Sequence, residues 1–114
     1  MIKFFKEKFN RFIDKDQSYA IYDLITKIDS PDVSVVLGRA NNHYEITKNT
    51  KSDRIYYILS GTLIINKQRI EKGEVVYIPK DTEYQFEGTF ETLVINSPAF
   101  DPKYDITKIS ERKK

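Results

Sequence analysis

Cysteine is absent from this chain of 114 residues, and histidine occurs once, at His43. Without cysteine the chain cannot form a disulfide scaffold, a zinc–thiolate site or a thiol nucleophile. This absence fits a reducing compartment, and we expect a cytoplasmic protein. A Ser-His-Asp triad would have to use His43. Glycine is also scarce, and its scattered positions exclude a glycine-rich phosphate loop: Gly38, Gly61, Gly73 and Gly88.

The chain also lacks an excess of one charge and any long apolar run. It has 19 basic and 17 acidic residues, a net charge of +2, and the two signs are interspersed. This pattern indicates a solvated surface, and we expect no nucleic-acid partner. No apolar run approaches the ~20 residues of a transmembrane segment. Charged residues also interrupt the N-terminal region, unlike a signal peptide: Lys3, Lys6, Glu7 and Lys8.

What the N-terminus does contain is a set of apolar residues spaced three or four apart. This spacing predicts a short amphipathic helix over residues 1–14. We expect the helix to cap the core or to contact a partner, with an anionic membrane surface or a flexible arm as alternatives. The residues that carry the pattern are Ile2, Phe5, Phe9, Phe12 and Ile13.

Short runs rich in isoleucine, valine and tyrosine dominate the stretch from Arg54 to Tyr84. Gly61, the pair Asn66-Lys67 and Gly73 separate these runs, which is typical of consecutive antiparallel strands. Seven to nine such strands with frequent turns predict an all-β sandwich or closed barrel. We divide the chain into an N-terminal arm (residues 1–16), a barrel (17–102) and a C-terminal tail (103–114).

Two spaced motifs in this stretch resemble those of the cupin superfamily. The first runs from Arg54 over six residues to Gly61 and ends with two aromatic and two aliphatic residues before Ser-Gly. The second runs from Gly73 over five residues to Pro79 and continues to Tyr84. The resemblance implies a cupin-type double-stranded antiparallel β-helix, a jelly-roll barrel, preceded by the short helix.

The chain departs from the family at the positions of its metal ligands. Metal-binding cupins hold a divalent ion with three histidines and one glutamate. The glutamate position is Arg54, and the histidine position of the second motif is Tyr84. The other two histidine positions fall within residues 47–50, which contain no histidine. Because a guanidinium cannot coordinate a metal, we predict no metal or other cofactor, and no metal-dependent dioxygenase chemistry.

If Arg54 occupies the glutamate position, strand alternation turns Arg54 and Tyr56 towards the barrel interior. Tyr84 would also face inward, and Tyr44 and Asn49 are additions from the preceding strand and loop. We expect these five residues to bind a ligand, with Arg54 holding a carboxylate or phosphate. The alternatives are an exposed Arg54 paired with an acidic residue, tyrosines that fill the core, and a turn role for Asn49.

The nearest catalytic pairing is His43 as base with Tyr44 or Tyr84 as acid. The resemblance implies this arrangement from metal-free epimerases and isomerases of cupin type. Nothing in the sequence places these groups within reach of each other, and a lone histidine is more often a surface or satisfied residue. Whether the chain is an enzyme is therefore left open.

Three functions are consistent with these features. The first is a metal-free barrel that binds a small polar or anionic molecule without catalysis. The second is a metal-free isomerase, epimerase or lyase that acts on a sugar or a sugar-derived acid. The third is a structural or regulatory module that forms a homodimer through the N-terminal phenylalanines.

Overall fold

The computed structural model describes residues 1–108, whose regular elements are β-strands apart from one 3₁₀ helix. The all-β prediction is confirmed. None of the helical segments in this part of the chain is long and apolar enough to cross a membrane. In chain order the elements are β1 (Lys8–Phe12), β2 (Tyr19–Ile25), β3 (Ser34–Asn49), β4 (Asp53–Ile65), β5 (Gln68–Glu71), β6 (Val75–Ile78), β7 (Tyr84–Ser97), a 3₁₀ helix (Pro102–Tyr104) and β8 (Asp105–Lys108).

The three long strands β3, β4 and β7 position the interior. β7 lies between the other two, so that Asn96 is paired with Ser34 of β3 and with Arg54 of β4. All strand pairs are antiparallel, in the order β1-β2-β3-β7-β4-β5, with β6 on β4 and β8 on β3. The inner faces of β3, β4 and β7 therefore meet around one interior.

The predicted N-terminal helix is wrong, because residues 8–12 form the edge strand β1 on β2. A register shift between Phe9 and Arg11 places the rings of Phe9 and Phe12 together, with centroids 5.1 Å apart. The bulge thus gives a strand the three-residue spacing that otherwise indicates a helix. A helix of this length has little stability alone, and pairing with β2 outweighs it.

Two turns in the motif region follow the sequence pattern. Asn66 and Lys67 connect β4 to β5 with φ values of 47° and 71°, the positive values of a tight hairpin turn. Gly61 has φ +74°, and a Cβ there would lie 2.3 Å from the carbonyl oxygen of Thr89. Only glycine fits this approach of β4 to β7.

Side-chain alternation along β4 separates the core from the surface. Tyr56 is 2% exposed, whereas its neighbour Tyr57 is 39% exposed. Tyr56, Ile58, Leu63 and Phe86 belong to one buried apolar cluster inside the barrel. This cluster supports the polar residues that face the remaining open interior.

Candidate functional site

The open part of the interior is a cavity of about 540 Å³. This volume lies within the range of about 300–1,000 Å³ that is typical of small-molecule sites. Its wall combines aromatic rings with charged and amide side chains from several strands and from the C-terminal segment. The wall includes the aromatic residues Tyr19, Tyr56 and Phe86 and the polar residues Glu45, Arg54, Asn96 and Asp105.

A buried arginine cluster, made of Arg54, Tyr56, Tyr84, Asn96 and Asp105, forms one polar region of the interior. Arg54 donates from Nε to Asn96 Oδ1, from Nη1 to Tyr84 Oη and from Nη2 to Asp105 Oδ1, each at 3.0 Å. The hydroxyls of Tyr84 and Tyr56 lie 2.5 Å apart. The guanidinium therefore has a counter-ion and two neutral partners.

Charge in the arginine cluster is fixed by burial and by these contacts. Burial alone would lower the pKa of Arg54, but the tyrosines, Asp105 and the hydrogen bond to Tyr84 together raise that pKa well above its ordinary value. Burial also raises the pKa of Tyr56 and, against the opposing effect of Arg54, the pKa of Tyr84. At neutral pH the cluster thus holds a cation and two protonated phenols.

The amide of Asn96 has a fixed orientation in this cluster. A guanidinium only donates hydrogen bonds, so the atom that faces Arg54 Nε must be the amide oxygen. The amide nitrogen Nδ2 is buried and finds no hydrogen-bond partner among residues 1–108. A buried donor without a partner costs about 1–3 kcal/mol. Such donors are rare in packed cores, and one on a cavity wall indicates a group that is available to a ligand.

A second polar group, the histidine cluster, consists of the partly buried Asp14 and Ser18 and the buried His43 and Glu45. The Ser18 hydroxyl donates to Asp14 Oδ2 at 2.5 Å and lies 2.7 Å from His43 Nδ1. On the other side of the ring, His43 Nε2 lies 2.6 Å from Glu45 Oε1. His43 is 1% exposed, and Glu45 lies on the cavity wall.

Counting hydrogens along the histidine cluster locates a proton. Burial raises the pKa of Asp14, but hydrogen bonds from Ser18 and the nearby His43 outweigh it and lower that pKa, so Asp14 is ionised at neutral pH. The Ser18 hydroxyl donates its only proton to Asp14, so His43 Nδ1–H must donate to the Ser18 oxygen. The 2.6 Å contact between His43 Nε2 and Glu45 Oε1 is a second hydrogen bond, with one proton between these two atoms.

The side chains at the family's metal-ligand positions do not fit a metal ion. Arg54 and Tyr84 stand at two of these positions and are hydrogen-bonded to each other. Within residues 1–108 no group of three or more histidine, cysteine, aspartate or glutamate side chains is arranged to hold a metal. His43 and Glu45 bind each other instead.

The predicted ligand-binding residues separate into two groups. Arg54 and Tyr56 line the cavity, and Tyr84 supports both of them from the adjoining small cleft. Tyr44 lies on the other side of β3, where its hydroxyl donates to Gln85 at 3.0 Å.

Asn49 has a turn role. Its side-chain oxygen accepts from the backbone amides of Lys51 and Ser52, and its Nδ2 donates weakly to Asp105 at 3.4 Å. Asn49 lines the small cleft beside Tyr84 and is not part of the wall of the large cavity. It therefore contacts residues of the site without facing the ligand space.

The predicted pairing of His43 with Tyr44 or Tyr84 differs from the contacts that the histidine makes. Its two ring nitrogens are engaged by Ser18 and Glu45. Glu45 was not a sequence candidate, although its place two residues after His43 puts both on one face of a strand. No sequence motif near Asp105 or Asn96 marks them as site residues, because strand pairing in the folded sheet is what brings them to Arg54.

Several solved structures match the chain over most of its length. The nucleoside dehydratase Pac13 from Streptomyces, in a tyrosine-to-phenylalanine variant with uridine, gives a TM-score of 0.74 at 18% identity, covering 96% of this chain and 93% of that one. KdgF from Halomonas sp. gives a TM-score of 0.72 at 16% identity, covering 90% and 99%. No family model and no curated protein matches the chain.

A larger enzyme contains the same architecture as part of its chain. Oxalate decarboxylase from Bacillus subtilis gives a TM-score of 0.70 at 11% identity, covering 90% of this chain and 29% of that one. At these identities the likeness concerns the fold. Since all three proteins have the fold that the spaced motifs predict, the chain is a cupin-fold protein.

Proposed function

We propose that the barrel binds a small polar molecule of low net charge in its cavity, without a metal ion. The observation that carries this proposal is the cavity of about 540 Å³, which combines hydrogen-bond donors and acceptors with aromatic walls. Arg54 and Asn96 supply donors, Glu45 and Asp105 supply acceptors, and Phe86 is part of the apolar surface. Such a mixture is typical of sites that fix the orientation of a small ligand.

The balance of charges in the cavity favours a neutral ligand. An anionic ligand would be expected only if the Arg54 side chain had no counter-ion. Asp105 lies 3.0 Å from Arg54 and offsets its charge. Lys27, another cation of the wall, lies 3.4 Å from Asp101. An anion would have to compete with these carboxylates and with Glu45, so a molecule with hydroxyl and carbonyl groups fits better. The structure of Pac13 with uridine, a neutral nucleoside, supports this choice.

The proposal is tested by filling the cavity without changing its polar groups. Val36 lines the cavity, and Val36→Phe places a larger apolar side chain there. We expect uridine and ribose to bind the native protein in NMR titrations and to lose about tenfold or more in affinity for the variant. Val75→Phe is the matched control, because Val75 is 58% exposed and lies outside the cavity wall. Equal binding to both variants would place the ligand elsewhere and refute the proposal.

A second candidate function, acid–base catalysis of the isomerase or epimerase type, is favoured by the Glu45–His43 pair. A carboxylate on the cavity wall that shares a proton with a buried imidazole is able to accept and return a substrate proton. We expect the native protein to exchange the C–H protons of dihydroxyacetone with deuterated solvent. Glu45→Gln should slow this exchange about 100-fold or more while ligand binding persists. If the native protein exchanges these protons no faster than buffer alone, the catalytic function is refuted and the binding function still stands.

Homodimer formation remains part of the proposal. Phe4 is 93% exposed, and Phe9 and Phe12 are 48% and 40% exposed on the edge strand β1. An exposed apolar group of this kind is typical of an association surface. Sedimentation of the native protein and of a Phe9→Ser, Phe12→Ser variant would test it, with a dimer expected only for the native chain.

A further inference from the structure

The two tyrosines of the arginine cluster are linked in a definite direction. A guanidinium has no acceptor, so Tyr84 Oη accepts the hydrogen bond from Arg54 Nη1. Tyr84 then has one proton of its own to donate. Within residues 1–108 the acceptor found for that proton is the hydroxyl of Tyr56, at 2.5 Å.

The opposite direction would leave a proton for which no acceptor is found among residues 1–108. If Tyr56 donated to Tyr84, the Tyr84 proton would remain in the small cleft between Asn49, Pro79 and Tyr84, which has no room for a water molecule. Tyr56, in contrast, lines the large cavity, where a ligand can accept its proton. Hydrogen bonds in a chain also strengthen one another when each hydroxyl both accepts and donates in the same direction.

We propose that Arg54, Tyr84 and Tyr56 form a directed hydrogen-bond chain whose last proton, on Tyr56 Oη, is donated to a carbonyl oxygen of the ligand. This inference rests on the proposed binding function and names the ligand class: a neutral carbonyl compound that also carries hydroxyl groups. A donor chain that begins at a cation favours an acceptor with partial negative charge and no proton of its own. Carbonyl oxygens meet both conditions, whereas a hydroxyl group brings a proton that needs an acceptor.

The remaining polar groups of the wall suit the rest of such a ligand. Glu45 and Asp105 accept hydrogen bonds from hydroxyl or N–H groups. The rings of Tyr19 and Phe86 lie 5.6 Å apart and offer an apolar surface to a flat or ring-shaped body. Tyr56 then sets the position of the carbonyl group within this frame.

Two tyrosine variants test the direction of the chain. Uridine, which has ring carbonyls, and ribose, which is largely a carbonyl-free ring, are the probes. Tyr56→Phe should weaken uridine binding about tenfold and ribose binding much less. Tyr84→Phe should weaken uridine binding too, because the Tyr56 hydroxyl loses its polarising donor. With the chain reversed, Tyr84→Phe would release the Tyr56 proton, and uridine would bind as tightly or more tightly.

Tyr44→Phe is the matched control, since the Tyr44 hydroxyl is held by Gln85 outside the cavity. Affinity for both probes should stay unchanged. Hydroxyl-proton NMR of the native protein gives a measurement that does not depend on how well the variants fold. We expect a slowly exchanging phenolic proton from Tyr84 in the free protein and a second one, from Tyr56, when uridine is bound.

The outcomes distinguish this inference from the function on which it rests. Native-like uridine binding by Tyr56→Phe, or no second phenolic proton in the uridine complex, overturns the inference and leaves the binding function intact. Binding of ribose without binding of uridine does the same. If neither probe binds the native protein, the proposed function fails and the inference fails with it.

Discussion

The arginine cluster and the histidine cluster face the same cavity but hold their protons in opposite ways. In the arginine cluster, one cation donates to Asn96, Tyr84 and Asp105, and the guanidinium is the donor in all three of these hydrogen bonds. In the histidine cluster, two carboxylates lie on either side of one imidazole, and the proton between His43 and Glu45 has two possible owners.

This difference separates a fixed electrostatic group from a proton-exchanging one. Arg54 and the protonated tyrosines keep their charge state over a wide pH range, because its partners hold the pKa of Arg54 high and burial holds the pKa values of Tyr56 and Tyr84 high. Glu45 lies on the cavity wall and is hydrogen-bonded to His43 Nε2 over 2.6 Å, a geometry that allows a proton to move between the two groups. A barrel with both groups is able to hold a ligand by one region and to move a proton at the other.

Removing the cation should give the largest effect. Arg54→Leu leaves Asp105 without its counter-ion and deprives Tyr84 and Asn96 of their donor. Breaking a buried ion pair by removing one partner costs about 3–5 kcal/mol. We therefore expect the free energy of unfolding, measured by urea denaturation, to fall by about this amount.

An exposed arginine provides the control for that loss. Arg69 pairs with Glu71 at 3.3 Å, but its side chain is 67% exposed. Arg69→Leu should change the free energy of unfolding by less than about 0.5 kcal/mol. A similar cost for both arginines would mean that the arginine cluster is no more than a surface pair.

The histidine cluster should show strong coupling between its members. His43→Leu leaves the buried carboxyl of Glu45 without its partner, which we expect to cost about 2–3 kcal/mol in urea denaturation. Adding Glu45→Leu removes the stranded group, so the double variant should be more stable than His43→Leu alone. Additive losses in this double-mutant cycle would show that the two residues do not share a proton in the way proposed.

The fold was predictable from local patterns, with one exception. The positive φ values at Asn66 and Lys67 and the burial difference between Tyr56 and Tyr57 follow directly from turn chemistry and strand alternation. The N-terminal segment was predicted wrongly because a bulge after Phe9 imitates helical spacing. Periodicity over one short segment does not distinguish these two cases.

Only those site residues that belong to a spaced motif, or that lie on the same strand face as a motif residue, were predictable from the sequence. Arg54 and Tyr84 follow from the spaced motifs, and their direct contact agrees with that placement. Asp105 lies 51 residues from Arg54 in sequence, and the pairing of β8 with β3 is what brings it near. Glu45 was within reach of sequence reasoning, because residues two apart on a strand share a face.

Replacing Asp14 should change the acid stability of the histidine cluster. Its lowered pKa means that the folded state favours the ionised form, so its contribution is complete above pH 4 and is lost as pH falls below about 4. Asp14→Asn removes this contribution. We expect the difference in free energy of unfolding between native protein and variant to shrink as urea denaturation is repeated at lower pH. A difference that is constant from pH 7 to about 3 would contradict the assignment.

The smallest effect should appear at alkaline pH, in the arginine cluster. The raised pKa values of Tyr56 and Tyr84 keep both phenols protonated in the fold, whereas the unfolded chain ionises its tyrosines near pH 10. Folding stability is therefore unaffected below about pH 10 and falls as pH rises, by at most about 1.4 kcal/mol per pH unit for each such tyrosine. Tyr56→Phe should remove one of these contributions and flatten the fall seen by urea denaturation between about pH 9.5 and 11. Parallel curves for the two proteins would mean that Tyr56 ionises in the folded state, and Tyr56 would then no longer be a fixed donor in the cavity.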